Sequence, residues 1–260
     1  VSGEGYVNNG KILANKQPVK LTQDSDLALL LRISGLDNDT EIQPGKTAQA
    51  KPKILGTPTE AAHLILAQKS GLGLAELRKS YPRIGELPFD SDRKRMTTIH
   101  QQPDGSQVVY VKGALDGILA ICDSVLDNGQ LRPITDADKA TIDAANKHYA
   151  AEGLRSMAMA YRNYQDLPTD PADCTIENTE QRLTFVGLTV MADPPRPEIY
   201  DAVEKCHRAN IRIIMVTGDS PLTAKSVAVK IGIDRDQVRV ITGDELAAMS
   251  DTALQTAVKG

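Results

Sequence analysis

Tryptophan is absent, phenylalanine occurs twice, and aromatic residues together make up 3% of the 260 residues. A core of any size must therefore be assembled from Leu, Ile, Val, Ala and Met. The three cysteines, Cys122, Cys174 and Cys206, are odd in number and show no CxxC spacing, which excludes a disulfide framework or a cysteine zinc site. His63, His100, His148 and His207 are scattered, and no pair has ligand spacing, so no metal site is expected. No run approaches the ~18 apolar residues of a membrane span. The opening VSGEGYVNNGK has no apolar signal core, and it carries no initiator Met, so the chain reads as a piece of something longer. A net charge of −4 argues against general nucleic-acid binding; any anion site must be a local cluster.

What is present is ordinary for a globular protein: 41% apolar and 25% charged residues. The length allows one large domain or two medium ones, at roughly 150 residues per domain. The most informative stretch is LPFDSDRKRMTTIHQQPDGSQVVYVKGA, residues 87–114. Two β-type runs, Arg95–Gln102 and Gln107–Lys112, flank Pro103-Asp104-Gly105-Ser106 and predict an antiparallel hairpin. Phe89 sits at the start of its first arm, followed by Arg93, Lys94 and Arg95; Lys112-Gly113 closes the second arm. A flat aromatic, clustered cations and a Lys beside Gly suit a planar polyanion such as a nucleotide. An ordinary hairpin with a solvated basic rim is the competing reading.

Elsewhere, Tyr6–Val7 and Lys11–Leu13 around Asn8-Asn9-Gly10 predict a short hairpin, and 22–36 a helix with Leu27, Leu30, Leu31 and Ser34 on one face. Residues 37–56 read as a polar loop. Thr57-Pro58-Thr59-Glu60 opens a helix to Lys69, with Thr57 as N-cap and Glu60 completing a capping box. Further helices are expected at 74–79, 114–121 and 135–152, the last boxed by Thr135 and Asp138, and strands at 154–161 and 183–191. The segment 163–182 reads as a surface loop. Asp193-Pro194-Pro195-Arg196-Pro197 breaks regular structure and marks a domain boundary. Beyond it, helices at 198–209, 221–231 and 244–249 and a last one toward Val258 alternate with apolar strands at 211–216 and 238–241, the pattern of a parallel sheet. Thr217-Gly218-Asp219 then falls at a strand's carboxyl end, where such folds bind ligands.

TPTEAA around Glu60, PFDSDRKRM, VKGA at 111–114, GLRSMAMA at 153–160, DPPRPE at 193–198 and MVTGDSPLTAKSVAVKIGI at 215–233 follow one another in a set order. Together they resemble the cation-transporting P-type ATPases, in the type-2 branch of calcium and sodium/potassium pumps. The resemblance covers nearly the whole chain and implies an α/β fold class. Residues 1–192 become an α+β nucleotide-binding domain, a twisted antiparallel sheet with flanking helices. Residues 193–260 become part of a haloacid-dehalogenase-like, Rossmann-type phosphorylation domain with parallel strands. The family's DKTGT segment is expected before residue 1 and its GDGVND segment after residue 260. One departure is Lys112-Gly113-Ala114-Leu115-Asp116 where the family often reads KGAPE.

The resemblance also assigns roles. Phe89 stacks on adenine; Glu60 meets the adenine edge, a role that can coexist with its capping box; Lys112 and Gly113 lie deep in the ATP pocket, Gly113 permitting close approach of the ligand. Arg155 reaches the phosphates, with Arg93 and Lys94 as secondary cations. Thr217, Gly218 and Asp219 serve the phosphate and Mg2+ end of ATP in an intact pump. The implied function is ATP binding within a pump that works through an aspartyl-phosphate, on the cytoplasmic face of a membrane protein. Its partners are the transmembrane and actuator domains of the same parent chain. The isolated chain is expected to be monomeric, to bind ATP and to hydrolyse none, and calcium is the first expectation for the ion. The alternatives are a stand-alone haloacid-dehalogenase-like phosphatase and a nucleotide-independent scaffold. The phosphatase is disfavoured because the DxD strings at 24–26, 37–39, 90–92, 136–138 and 234–236 do not end apolar strands.

Overall fold

The computed structural model describes residues 1–260 except 3–8, 20, 23–24, 44–51, 165–169, 171–172, 193–194, 219–220, 234–238 and 260. The chain divides into two compact units, residues 1–141 with 157–189, and residues 142–156 with 190–260. In chain order the elements begin β1 (Leu13–Ala14), β2 (Gln17–Pro18), α1 (Asp26–Leu36), β3 (Glu41–Gln43), β4 (Lys53–Leu55), α2 (Pro58–Lys69) and α3 (Leu74–Ser80). Then come β5 (Arg83–Asp90), β6 (Arg95–Gln101), β7 (Gln107–Gly113), α4 (Leu115–Leu119), β8 (Cys122–Asp127), β9 (Gln130–Pro133) and α5 (Asp136–Ala151). The chain continues with β10 (Leu154–Tyr164), α6 (Ile176–Thr179), β11 (Leu183–Ala192), α7 (Pro197–Arg208), α8 (Pro221–Ile231), α9 (Gly243–Ala248) and α10 (Asp251–Lys259). No helix among the described residues is long and apolar enough to cross a membrane.

The first unit is organised on a seven-stranded sheet in the order β5-β6-β7-β10-β11-β8-β9. The predicted hairpin supplies its second and third strands: β6 and β7 pair antiparallel from Arg95↔Gly113 to Gln101↔Gln107. Gly105 closes the turn at φ +86°, a conformation an L side chain resists. Phe89 does not start the first arm. It lies on a separate strand, β5, which pairs with β6 through Leu87↔Thr97 and Asp90↔Arg95 with a register shift between them. β5–β6, β6–β7, β7–β10 and β8–β9 pair antiparallel, whereas β11 runs parallel to β8, at Leu183↔Cys122 and Phe185↔Val125, so the expectation of an antiparallel sheet needs that correction.

Helix α1 covers one face of this sheet. Ser25 caps it by accepting the Ala28 N–H at 3.2 Å. Ile33 and Leu36 pack with Val108, Tyr110 and Met159 in one buried cluster. Alternation along β7 places Val108, Tyr110 and Lys112 on this same face. Residues read as a loop at 37–56 contain the β3–β4 pair, Ile42↔Ile54 at its centre. Residues 6–8 of the predicted Asn8-Asn9-Gly10 hairpin lie outside the described residues. A two-residue hairpin instead joins β1 and β2, with Asn15 and Lys16 both at positive φ. At α5, Thr135 accepts the Asp138 N–H at 3.2 Å while Asp138 accepts the Thr135 N–H at 2.9 Å, the expected reciprocal box.

In the second unit the helices α7, α8, α9 and α10 fall close to their predicted spans. His207 of α7 donates its Nε2–H to the Gly232 carbonyl beyond α8 at 2.8 Å. The predicted strand at 211–216 is not a strand in the structure; the Ile211 N–H donates to the Cys206 carbonyl at 2.8 Å, and Ile214 and Val216 are 61% and 91% exposed. Residues 239–241 also form no strand, and 238 lies outside the described residues. An apolar run becomes a strand only when a neighbouring strand takes its N–H and C=O groups.

Candidate functional site

Lys112 is the chemical centre of the first unit. It is 4% exposed at the end of β7, on the face covered by α1. Its Nζ donates to Glu60 Oε1 at 2.9 Å and to the Asp37 carbonyl, and touches Met96 Sδ at 3.3 Å. The three ammonium protons thus have three protein partners. Asp37 Oδ1 stands 3.8 Å away.

Glu60 reaches this point because Thr57-Pro58 starts α2 there. Thr57 Oγ1 accepts the Glu60 N–H at 3.2 Å, as the capping grammar required. The Glu60 carboxylate, however, turns to Lys112, to the Asp39 N–H at 3.3 Å and to the Thr40 hydroxyl at 3.2 Å. Burial alone would raise the Glu60 carboxyl; the Lys112 charge and these hydrogen bonds outweigh it and bring it below its ordinary value.

Asp37, the residue that ends α1, is completely buried, and neither carboxyl oxygen has a partner in hydrogen-bonding geometry. Burial drives its carboxyl up to about 7, against the pull of Lys112 and Arg83. Asn38 fastens α1 to α2, donating to the Ser34 carbonyl at 3.1 Å and the Glu60 carbonyl at 2.8 Å while accepting the Thr40 N–H at 2.9 Å. Arg83 at the start of β5 donates Nη2 to the Leu36 and Asn38 carbonyls, both at 3.0 Å, and Nη1 to Asp39 at 2.6 Å and Glu86 at 2.8 Å. A cation on the last carbonyls of α1 suits their partial negative charge. His63 sits behind the pair. Its Nδ1 faces the Thr59 carbonyl at 2.9 Å and therefore carries the proton; Nε2 lies 2.7 Å from the Thr189 hydroxyl. Burial, with Lys112 nearby, lowers it to about 4.

Lys112 and Glu60 are therefore brought into direct contact. Phe89 shares their end of the sheet: Met96 of β6 pairs with Lys112, and Asp90 of β5 pairs with Arg95, so Phe89 and Lys112 are two strands, or about 10 Å, apart. Phe89 is 63% exposed, which fits a ring that is not part of the core.

Gly113 has a packing reason that the sequence did not announce. A Cβ there would lie 2.6 Å from Arg95 Cβ and 2.6 Å from the Lys94 carbonyl. The missing side chain makes room for β6. Arg93 is also committed: it pairs with Glu180 and donates Nη2 to the Pro88 carbonyl at 2.7 Å. Lys94 is exposed at φ +51°, and its carbonyl accepts the Ala114 N–H at 2.9 Å.

Arg155 is exposed at the start of β10 and belongs to the second unit, as do Thr217 and Gly218, both exposed ahead of α8. Asp219 lies outside the described residues, as does Asp193 at the expected boundary. A cleft of about 270 Å³ in the first unit lies beside the end of α1, walled by Asn38, Asp39, Arg78, Tyr81, Arg83 and His100. It includes none of the residues expected to hold a ligand.

Asp37, Asn38, Arg83, His63 and Glu180 were not foreseen. Asp37-Asn38-Asp39 read as the polar start of a loop, and Glu180 as part of another. The only available signal was indirect: charged residues directly after a strongly apolar helix end.

These features define a mixed α/β domain whose largely antiparallel sheet carries a buried lysine–carboxylate centre at one end. The family described as "P-type ATPase, cytoplasmic domain N" matches residues 26–198. Calcium-transporting ATPase 1 of Bacillus cereus is 39% identical over 203 residues, 78% of this chain and 22% of that protein. Calcium-transporting ATPase 1 of Lactococcus lactis is 34% identical over 241 residues, 93% of this chain and 26% of that protein. The human sodium/potassium-transporting ATPase subunit alpha-4 is 36% identical over 238 residues, 87% of this chain and 23% of that protein. The chain belongs to the P-type cation-transporting ATPases, and it spans about a quarter of the length of these relatives.

Proposed function

We propose that this chain is the ATP-binding part of a cation pump, with residues 1–192 holding the nucleotide and 193–260 contributing part of the phosphorylation domain. The observation that carries the reading is the Lys112–Glu60 pair at the sheet end that also presents Phe89. The exposed ring offers a face for adenine. Glu60 keeps part of its carboxylate open to solvent, so it can accept from the exocyclic amino group while Lys112 holds it in place. Lys112, with its protons engaged, acts as the charged floor of the pocket more than as a roving phosphate ligand. Lys94 is the cation on the rim. Arg155, Thr217, Gly218 and Asp219 are assigned to the phosphate end. Mg2+ would arrive with the phosphates of ATP; among the described residues no group of three His, Cys, Asp or Glu side chains is placed to hold a metal.

In the parent pump, the bound ATP would pass its γ-phosphate to an aspartate of the phosphorylation domain, a transfer that depends on positioning and charge neutralisation. The transmembrane and actuator domains are then partners in the same parent chain, at the cytoplasmic face of a membrane. Calcium is the proposed ion, on the strength of relatives named as calcium-transporting. Titration of the purified chain with MgATP by calorimetry tests the reading. Saturable binding weakened by Lys112→Ala and by Phe89→Ala is expected; no binding by the unmodified chain overturns it. Magnesium-dependent phosphatase turnover by the chain alone would favour the haloacid-dehalogenase-like alternative.

A further inference from the structure

Glu180 is a fully buried carboxylate outside the Lys112 centre. Its side chain has no exposed surface. It accepts from Arg93 Nη1, from Arg95 Nε at 2.6 Å and from the Thr97 hydroxyl at 2.7 Å. Thr97 and Arg95 alternate with Met96, so this network lies on the face of β6 opposite Lys112. Glu180 itself is fixed as the end of α6, whose first turn is closed by a reciprocal Thr175–Asn178 box. Neutralising one buried carboxylate needs only one of these cations. The second guanidinium does something else.

Arg93 has two arms. One grips Glu180, and the other donates to the Pro88 carbonyl at 2.7 Å, immediately before Phe89. The rest of the β5–β6 turn is tied down as well. Asp90 Oδ1 accepts the Asp92 and Arg93 N–H groups at 2.9 Å, and the Lys94 N–H donates to the Asp90 carbonyl at 2.7 Å. Phe89 is largely exposed, so little side-chain packing can hold its ring; the backbone that carries it must. A ring fixed in advance loses less freedom when a base stacks on it.

We propose that Glu180, acting through Arg93 and the Pro88 carbonyl, is the positioning residue that pre-sets Phe89 for adenine stacking. The proposal rests on the ATP-site reading given above and adds to it a residue on the opposite face of the sheet.

The test is a double-mutant cycle in MgATP affinity, measured by calorimetry on the full chain, with magnesium tripolyphosphate as a ligand that has no base. Glu180→Gln is expected to weaken MgATP roughly fivefold or more, to leave tripolyphosphate unchanged, and to have no further effect in a Phe89→Ala background. Equal losses with and without Phe89, equal losses for both ligands, or no loss at all overturn the proposal. Should Glu180→Gln fail to fold, Arg93→Met carries the same test, because it leaves Glu180 paired with Arg95 and Thr97. The two readings separate cleanly. Phe89→Ala binding MgATP as tightly as the unmodified chain overturns the stacking site itself, and this proposal with it. Phe89→Ala binding weakly while Glu180→Gln binds normally overturns this proposal alone.

Discussion

Lys112 Nζ and Glu60 Oε1 lie 2.9 Å apart, joining the end of β7 to the first turn of α2. With Asp37 beside them, one buried cation faces one half-buried and one fully buried carboxyl group. The pair thus has two tasks, closing the fold over this end of the sheet and shaping the proposed adenine pocket.

Removing Lys112 should therefore affect stability before any ligand is added. Lys112→Met leaves Glu60 and Asp37 without their cation, and a broken buried pair costs about 3–5 kcal/mol. Chemical denaturation followed by circular dichroism should show this loss, and Glu60→Gln in the same chain should recover part of it. Equal stability of Lys112→Met and the unmodified chain would show that the pair does not close the fold.

Phe89→Ala should separate binding from folding. The ring is mostly exposed, so unfolding stability is expected to change by no more than about 0.5 kcal/mol. MgATP affinity is expected to fall by about 1–3 kcal/mol, the usual worth of one stacked base. A stability loss of several kcal/mol would place the ring in the core.

Gly113→Ala should act on the sheet. The added methyl meets Arg95 and the Lys94 carbonyl at 2.6 Å, a backbone neighbour that cannot swing aside. Overpacking of this kind costs about 1–3 kcal/mol. Faster amide exchange across Arg95–Ile99 is the measurement. Normal stability combined with lost MgATP binding would show that the space at Gly113 serves the ligand and not β6.

The pH dependence combines three buried groups. His63 and His100 are lowered to about 4 by burial, so their contribution is full above pH 6.5 and disappears as the pH falls through 4. Asp37 is raised to about 7, so its contribution is full below pH 3.8 and disappears as the pH rises through 7. Between pH 4 and 6.5 two rising slopes oppose one falling slope, leaving roughly one proton net, or about 1.4 kcal/mol per pH unit from these groups. Asp37→Asn should steepen that rise toward two protons and remove the decline near pH 7. An unchanged slope in Asp37→Asn, read from denaturation midpoints between pH 4 and 8, would contradict the assignment.

Local chemistry was legible where it depends on neighbours in the chain. The Pro103–Ser106 turn, the Thr57 and Thr135 caps and the helices of the second unit all follow from short-range rules. Strand partners were harder to read. The segment 83–90, with Gly85 and Pro88 in it, has too little alternation to announce β5, yet β6 offers it a complete edge to pair with. The apolar run at 211–216 shows the reverse: the pattern of a strand where the structure forms none.

Residue order alone was enough to identify the family, because TPTEAA, PFDSDRKRM, VKGA, DPPRP and TGD occur together in a fixed succession. It also singled out Glu60, Phe89 and Lys112 as candidate site residues. Only the folded chain decided what each of them touches. Lys112 meets Glu60 across 52 positions and Arg93 meets Glu180 across 87, through contacts that no local periodicity encodes. The same packing excluded water from Asp37 and gave the absent side chain of Gly113 to the neighbouring strand. Burial and register are properties of several segments at once, and they govern charge and space at this site.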